Sequence, residues 1–186
     1  MTTECGGIDS VRDNYLQRYG EAIRSYQRAG RNVFTELCLD VTSAVRRHSV
    51  YRLIVVDCLE KLPDGQTKVI EINVDPIDAK LPGLPIDAPI VWNGVEFRCD
   101  MEEFPEASVI SWAERWISDE SPPLGPQGPW TGIIHSVTEP TQRGDRIEFS
   151  VDFGSAPVTA FFELVGILAG RIQAVGSYAM AAGGEA

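Results

Sequence analysis

Apolar residues recur along this chain in two rhythms. Over residues 9–29, Val11, Tyr15, Tyr19, Ile23 and Tyr26 fall three or four positions apart, which is one stripe of a 3.6-residue helix. Asp9 or Ser10 can cap its start and Gly30 can end it. Residues 33–47 carry a similar spacing, with Phe34, Leu37, Cys38, Val41 and Val45 on one side and Asn32 as the cap. The first fifty residues are therefore expected to form a helical hairpin.

From Tyr51 the rhythm shortens. "YRLIVVDCLE" and "TKVIEINVD" are rich in Val and Ile and flank the turn residues of "KLPDGQ", which predicts a β-hairpin. Pro76, Pro82, Pro85 and Pro89 then predict an irregular excursion over 76–89. Asn93-Gly94 predicts a tight turn between two short strands. A helix is expected over 104–117, where Val109, Ile110, Ala113, Trp116 and Ile117 make a stripe. A long Pro/Gly loop follows. "TGIIHSVT" and "RIEFSVDF" read as a third hairpin, and residues 156–174 as a closing helix with Val158, Phe161, Phe162, Val165, Leu168 and Ile172 inward.

Helices, then hairpins, then a helix make an α+β fold. The expectation is a mainly antiparallel sheet, with an N-terminal helical hairpin and a C-terminal helix packed on it. Residues 1–186 are expected to form one domain, with a frayed tail from about 177.

Charge alters the functional outlook. The net charge is −11. Residues 1–50 hold 7 Arg against 6 Asp and Glu, whereas residues 57–120 hold 15 Asp and Glu against 5 Lys and Arg. That balance argues against nucleic acid, which calls for clustered cations. The longest apolar runs fall short of a membrane span, and the N-terminus lacks the pattern of a signal peptide, so a cytoplasmic protein is expected.

Candidate chemistry is sparse. Four cysteines without a C-x-x-C pair and two histidines give no structural zinc pattern, and no cofactor is implied. Asp152-Phe153-Gly154 matches a magnesium-holding triplet of protein kinases, but the phosphate loop, strand lysine and catalytic loop that must accompany it are missing. The triplet reads instead as a strand-to-helix joint: Gly154 turns the chain, Ser155 caps the helix, and Asp152 faces solvent or caps the turn. His135 alternates with Ile133 and Val137 and is expected on the core side of a strand, as a satisfied buried or edge histidine rather than a general base.

Three functional readings follow. The leading one is a non-enzymatic domain that binds a basic protein, as an acidic inhibitor or immunity-type protein would. Its acidic face is Asp75, Asp78, Asp87, Asp100, Glu102 and Glu103, and Trp92 and Trp130 are its exposed aromatic anchors. The rival is a metal-dependent hydrolase in which Asp57, Glu71, Asn73 and Asp75 hold Mg²⁺. Assembly as a homo-oligomer or as a structural subunit is the third expectation.

Overall fold

The computed structural model describes residues 6–40, 48–117 and 130–177. Helix α1 (Ile8–Arg28) forms as its stripe predicts, burying Ile8, Val11, Tyr15, Tyr19 and Ile23. Residues 32–40 do not form the expected second helix. They are strand β1 (Asn32–Asp40), antiparallel to β2 (Leu53–Lys61), which in turn pairs with β3 (Thr67–Ile70). Val33, Phe34, Thr35 and Cys38 are poor helix formers that suit a pleated surface, and β2 offers an edge to pair with. The rest of the expected helix, 41–47, lies outside the described residues, as do most of the Pro/Gly loop and nearly all of the tail.

The second sheet runs in the order β5-β7-β4-β8, with β6 (Thr141–Arg143) also on β7. Its members are β4 (Val95–Asp100), β5 (Ser136–Val137), β7 (Arg146–Asp152) and β8 (Ile172–Gly176), and every pairing is antiparallel. Val95 faces Val151, Phe97 faces Phe149 and Cys99 faces Ile147, all buried, so alternate positions of both strands make one apolar face. Helices α2 (Glu106–Ile117) and α3 (Val158–Ile167) belong to this half and pack on each other.

Three local expectations change. Only one strand, β4, adjoins Asn93-Gly94, which sits in a single 3-10 turn over Trp92–Gly94. The closing helix stops short of 174. Gly170 takes φ +73°, a conformation that breaks the helix, and Ile172 and Val175 then extend along β4. Ser155 does not cap α3: its hydroxyl accepts from the Gly132 and Ile133 N–H groups, at 3.0 and 3.3 Å.

One continuous apolar cluster draws on all three helices and both sheets. Trp92 is fully buried and stacks on Phe153 at 4.7 Å between ring centroids. Trp130 is 8% exposed and stacks on Tyr19 at 4.4 Å. The expected exposure of these two tryptophans is therefore corrected, because both rings complete the core beside other aromatic side chains. No helix among the described residues is long and apolar enough to cross a membrane.

Candidate functional site

The two sheets meet at His135. Its N–H donates to the Asp152 carbonyl at 2.8 Å, and its own carbonyl accepts from the Val55 N–H at 2.7 Å. The residue is fully buried, as its alternation predicts, but its surroundings are not apolar. Glu36 from β1, Asp57 from β2 and Asp152 from the end of β7 converge on the ring. Nε2 lies 3.4 Å from Glu36 Oε1, while Nδ1 lies 3.1 Å from Asp57 Oδ1 and 3.8 Å from Asp152 Oδ1.

Each carboxylate is held from behind. Glu36 Oε2 accepts from the Thr131 N–H at 2.7 Å and the Thr131 hydroxyl at 2.8 Å. Asp57 Oδ1 accepts from the Tyr15 hydroxyl at 2.6 Å, and Oδ2 from the Ile72 N–H at 2.9 Å. The Tyr19 hydroxyl donates to the Asp57 carbonyl. Asp152 Oδ1 accepts from the Gly154 N–H at 2.9 Å, which is the turn cap expected of it.

Two backbone features show how tightly this cluster is drawn. Glu36 has φ +51°, a region costly for a residue with a β-carbon, by about 1–3 kcal/mol. Gly154 has φ +47°, and a Cβ there would stand 2.1 Å from His135 Cδ2. The chain adopts left-handed backbone at both places where it wraps the imidazole.

One polar atom is left over. Nδ1 of His135 is buried and near Asp57, yet it is not aligned for a hydrogen bond and has no hydrogen-bond partner among the described residues. Buried polar atoms are nearly always paired, so an orphan at the centre of three carboxylates needs an explanation. Asp57, His135 and Asp152 each offer one ligand atom, all within 4.8 Å of one another.

The cluster opens to solvent on one side. Asp57 and Asp152 line a cleft of about 340 Å³ with Glu71, Asn73 and Asn93. Asn93 Nδ2 donates to the Ile72 carbonyl at 3.3 Å, which fixes the amide on the cleft wall. Asp152 is the more open carboxylate, with a quarter of its side chain exposed, against 8% for Asp57.

The structure thus brings together Asp57, Glu71 and Asn73 of the expected metal set, but not Asp75, which faces Arg18 at 3.5 Å in solvent. The sequence missed His135, Asp152 and Glu36 as partners. Of the expected acidic face, Asp75, Asp78, Asp87, Asp100, Glu102 and Glu103 are all exposed. Asp78 and Asp87 share a shallow groove, and Asp87 approaches Arg98 at 4.0 Å. The acidic face keeps its charges, but Trp92 and Trp130 do not serve it as exposed anchors.

Electrostatics at the cluster oppose one another. Burial pushes His135 down, but Asp152, Asp57 and Glu36 outweigh it and raise the imidazole to about 10. Burial raises Asp152 to about 7, with the Asp57 charge adding to it and His135 opposing. Glu36 and Asp57 are also desolvated, yet hydrogen bonds and His135 hold both below their usual values.

The signs predict a pH profile for the metal-free protein. His135 is raised, so its stabilisation is complete below its unfolded value of 6.5 and is lost as pH climbs towards 10. Asp152 is also raised, and its share is lost between 3.8 and about 7. Glu36 and Asp57 act oppositely, and their contribution is lost on acidification. Urea midpoints are expected to fall steadily from pH 6.5 to 8.5, before Cys99, raised to about 11 from 9.0, adds a loss of the same sign. A flat profile across that window would contradict a charged His135.

The chain is thus an α+β fold whose two antiparallel sheets are joined by a buried histidine–carboxylate cluster open to a polar cleft. Comparison with known protein families, with curated proteins and with solved structures finds no match to it.

Proposed function

We propose that the protein is a divalent-metal-dependent hydrolase, with the ion held by His135 Nδ1, Asp57 and Asp152. The convergence of the buried Nδ1 with one oxygen each of Asp57 and Asp152, all within 4.8 Å of one another, carries this reading. These oxygens stand 3.1 and 3.8 Å from Nδ1, close to the separation of two ligands that share an ion at about 2.0–2.2 Å. Behind it, Glu36 lies on Nε2, so a proton kept there would leave the Nδ1 lone pair of the neutral imidazole to an ion that displaces the second proton. A carboxylate that fixes the tautomer of a metal-bound histidine is a recurrent arrangement.

One imidazole and two carboxylates suit Zn²⁺ or Mn²⁺ better than Ca²⁺. Two of the three ligands, Asp57 and Asp152, line the cleft, and this open side leaves a position for water, as catalytic sites do and closed structural sites do not. An ion held by these three side chains would acidify a water at the open position and so supply the nucleophile for hydrolysis, and Asp57 and Asp152, which line the cleft, would face the substrate beside it.

Calorimetric titration with Zn²⁺ or Mn²⁺ tests this directly. Wild-type protein is expected to bind one ion. Asp152→Asn, at the most exposed ligand, is expected to weaken binding at least about tenfold, and Thr131→Val, behind Glu36, by a similar order through the outer shell. Circular dichroism confirms that each variant is folded. No binding at millimolar metal by the folded wild type would leave the cluster a structural ion network and remove the proposal.

A further inference from the structure

We infer that the substrate is a carboxylic amide carrying an ammonium group and an aliphatic portion, and not a phosphate ester. This rests on the metal reading and goes beyond it, because it comes from what lines the cleft rather than from the ligand set.

No lysine or arginine among the described residues lines the cleft. Its charged groups are Asp57, Glu71 and Asp152, with Glu36 buried behind His135. Four carboxylates less one dication, with the histidine neutral, leave the site two charges negative. Phosphoryl transfer needs the reverse: charge builds on the equatorial oxygens, and it is met by Arg, Lys or several metal ions. A phosphate dianion entering this cleft would meet like charge inside low-dielectric walls, where repulsion is stronger than in water.

The remaining surface fits a different molecule. Asn73 and Asn93 offer carboxamide donors and acceptors that match an amide. Val69, 47% exposed, and the half-buried Ile54 supply an aliphatic patch on which a short hydrocarbon chain can lie. Glu71 is exposed and stands outside the ligand triad, so its charge is available to an ammonium group.

The test uses three probes of matched chain length on the metal-loaded protein, followed by calorimetry: 6-aminohexanamide, hexanamide and hexyl phosphate. The expected order of affinity is the same as that order, with at least about tenfold between the first and the last. Glu71→Gln is expected to weaken 6-aminohexanamide about three- to tenfold, to leave hexanamide unchanged and to leave metal stoichiometry at one. Hexyl phosphate binding as tightly as 6-aminohexanamide, or a folded, metal-loaded protein that binds neither amide, would overturn the inference while the metal site stands. A protein that binds no metal fails the earlier reading, and this one with it.

Discussion

Gly154→Ala is expected to be among the most destabilising single substitutions in the molecule, lowering stability by about 2–5 kcal/mol. Two costs add. Left-handed backbone costs a residue with a β-carbon roughly 1–2 kcal/mol. Overpacking adds roughly another 1–3 kcal/mol, because the new methyl would stand 2.1 Å from Cδ2 and 2.4 Å from Nε2 of His135. The ring cannot step aside, since its backbone is bonded to both sheets and three carboxylates surround it. Gly170→Ala separates the two costs: it has φ +73° with nothing within 4 Å, so only the backbone term applies. Urea denaturation of both variants checks the claim. If Gly154→Ala loses no more than Gly170→Ala, the close wrap around the imidazole is wrong.

The second large effect is expected from Asp57→Ala, at about 3–5 kcal/mol in the metal-free protein. The carboxylate accepts from Tyr15 and Ile72 and is the nearest counter-charge to His135, so its removal leaves a buried hydroxyl and a buried N–H without an acceptor and the imidazole with Glu36 and Asp152 alone. Tyr15→Phe alone removes one neutral donor and is expected to cost about 1 kcal/mol. In the Asp57→Ala background the same change should cost nothing, or recover part of the loss. Additive effects of the two substitutions would show that Tyr15 and Asp57 do not act on each other.

What the sequence shows of this fold and what it hides have physical causes. Helices α1 and α2 were legible because their apolar stripes are long and local, as was the β2–β3 hairpin with its turn chemistry. β1 was misread because Phe34, Leu37 and Cys38 fall at i, i+3 and i+4, a helical spacing, and only pairing with β2 decides for a strand. β8 was hidden for the same reason: Gly170 breaks the helix, but the strand that follows is defined by its partner β4.

The site was harder still. Glu36 and His135 are 99 residues apart, and no motif links them. Asp57, Glu71 and Asn73 were visible because they sit on one hairpin, where spacing implies proximity. His135 was correctly expected to be buried, but its surroundings could not be read from one strand. The one local signal was Asp152-Phe153-Gly154. Read as a joint, it is a joint; Gly154 also makes room for the imidazole, and Asp152 is one of the groups that face it.

The central claim is that Nδ1 of His135 is a metal ligand in waiting. Its most direct test is an anomalous difference map from crystals of the protein grown with Zn²⁺ and recorded at the zinc edge. The account predicts one strong peak about 2.0–2.2 Å from His135 Nδ1 and from one oxygen each of Asp57 and Asp152, with Glu36 still on Nε2. A map with no peak there, and Nδ1 still about 3 Å from the Asp57 carboxylate, would contradict it.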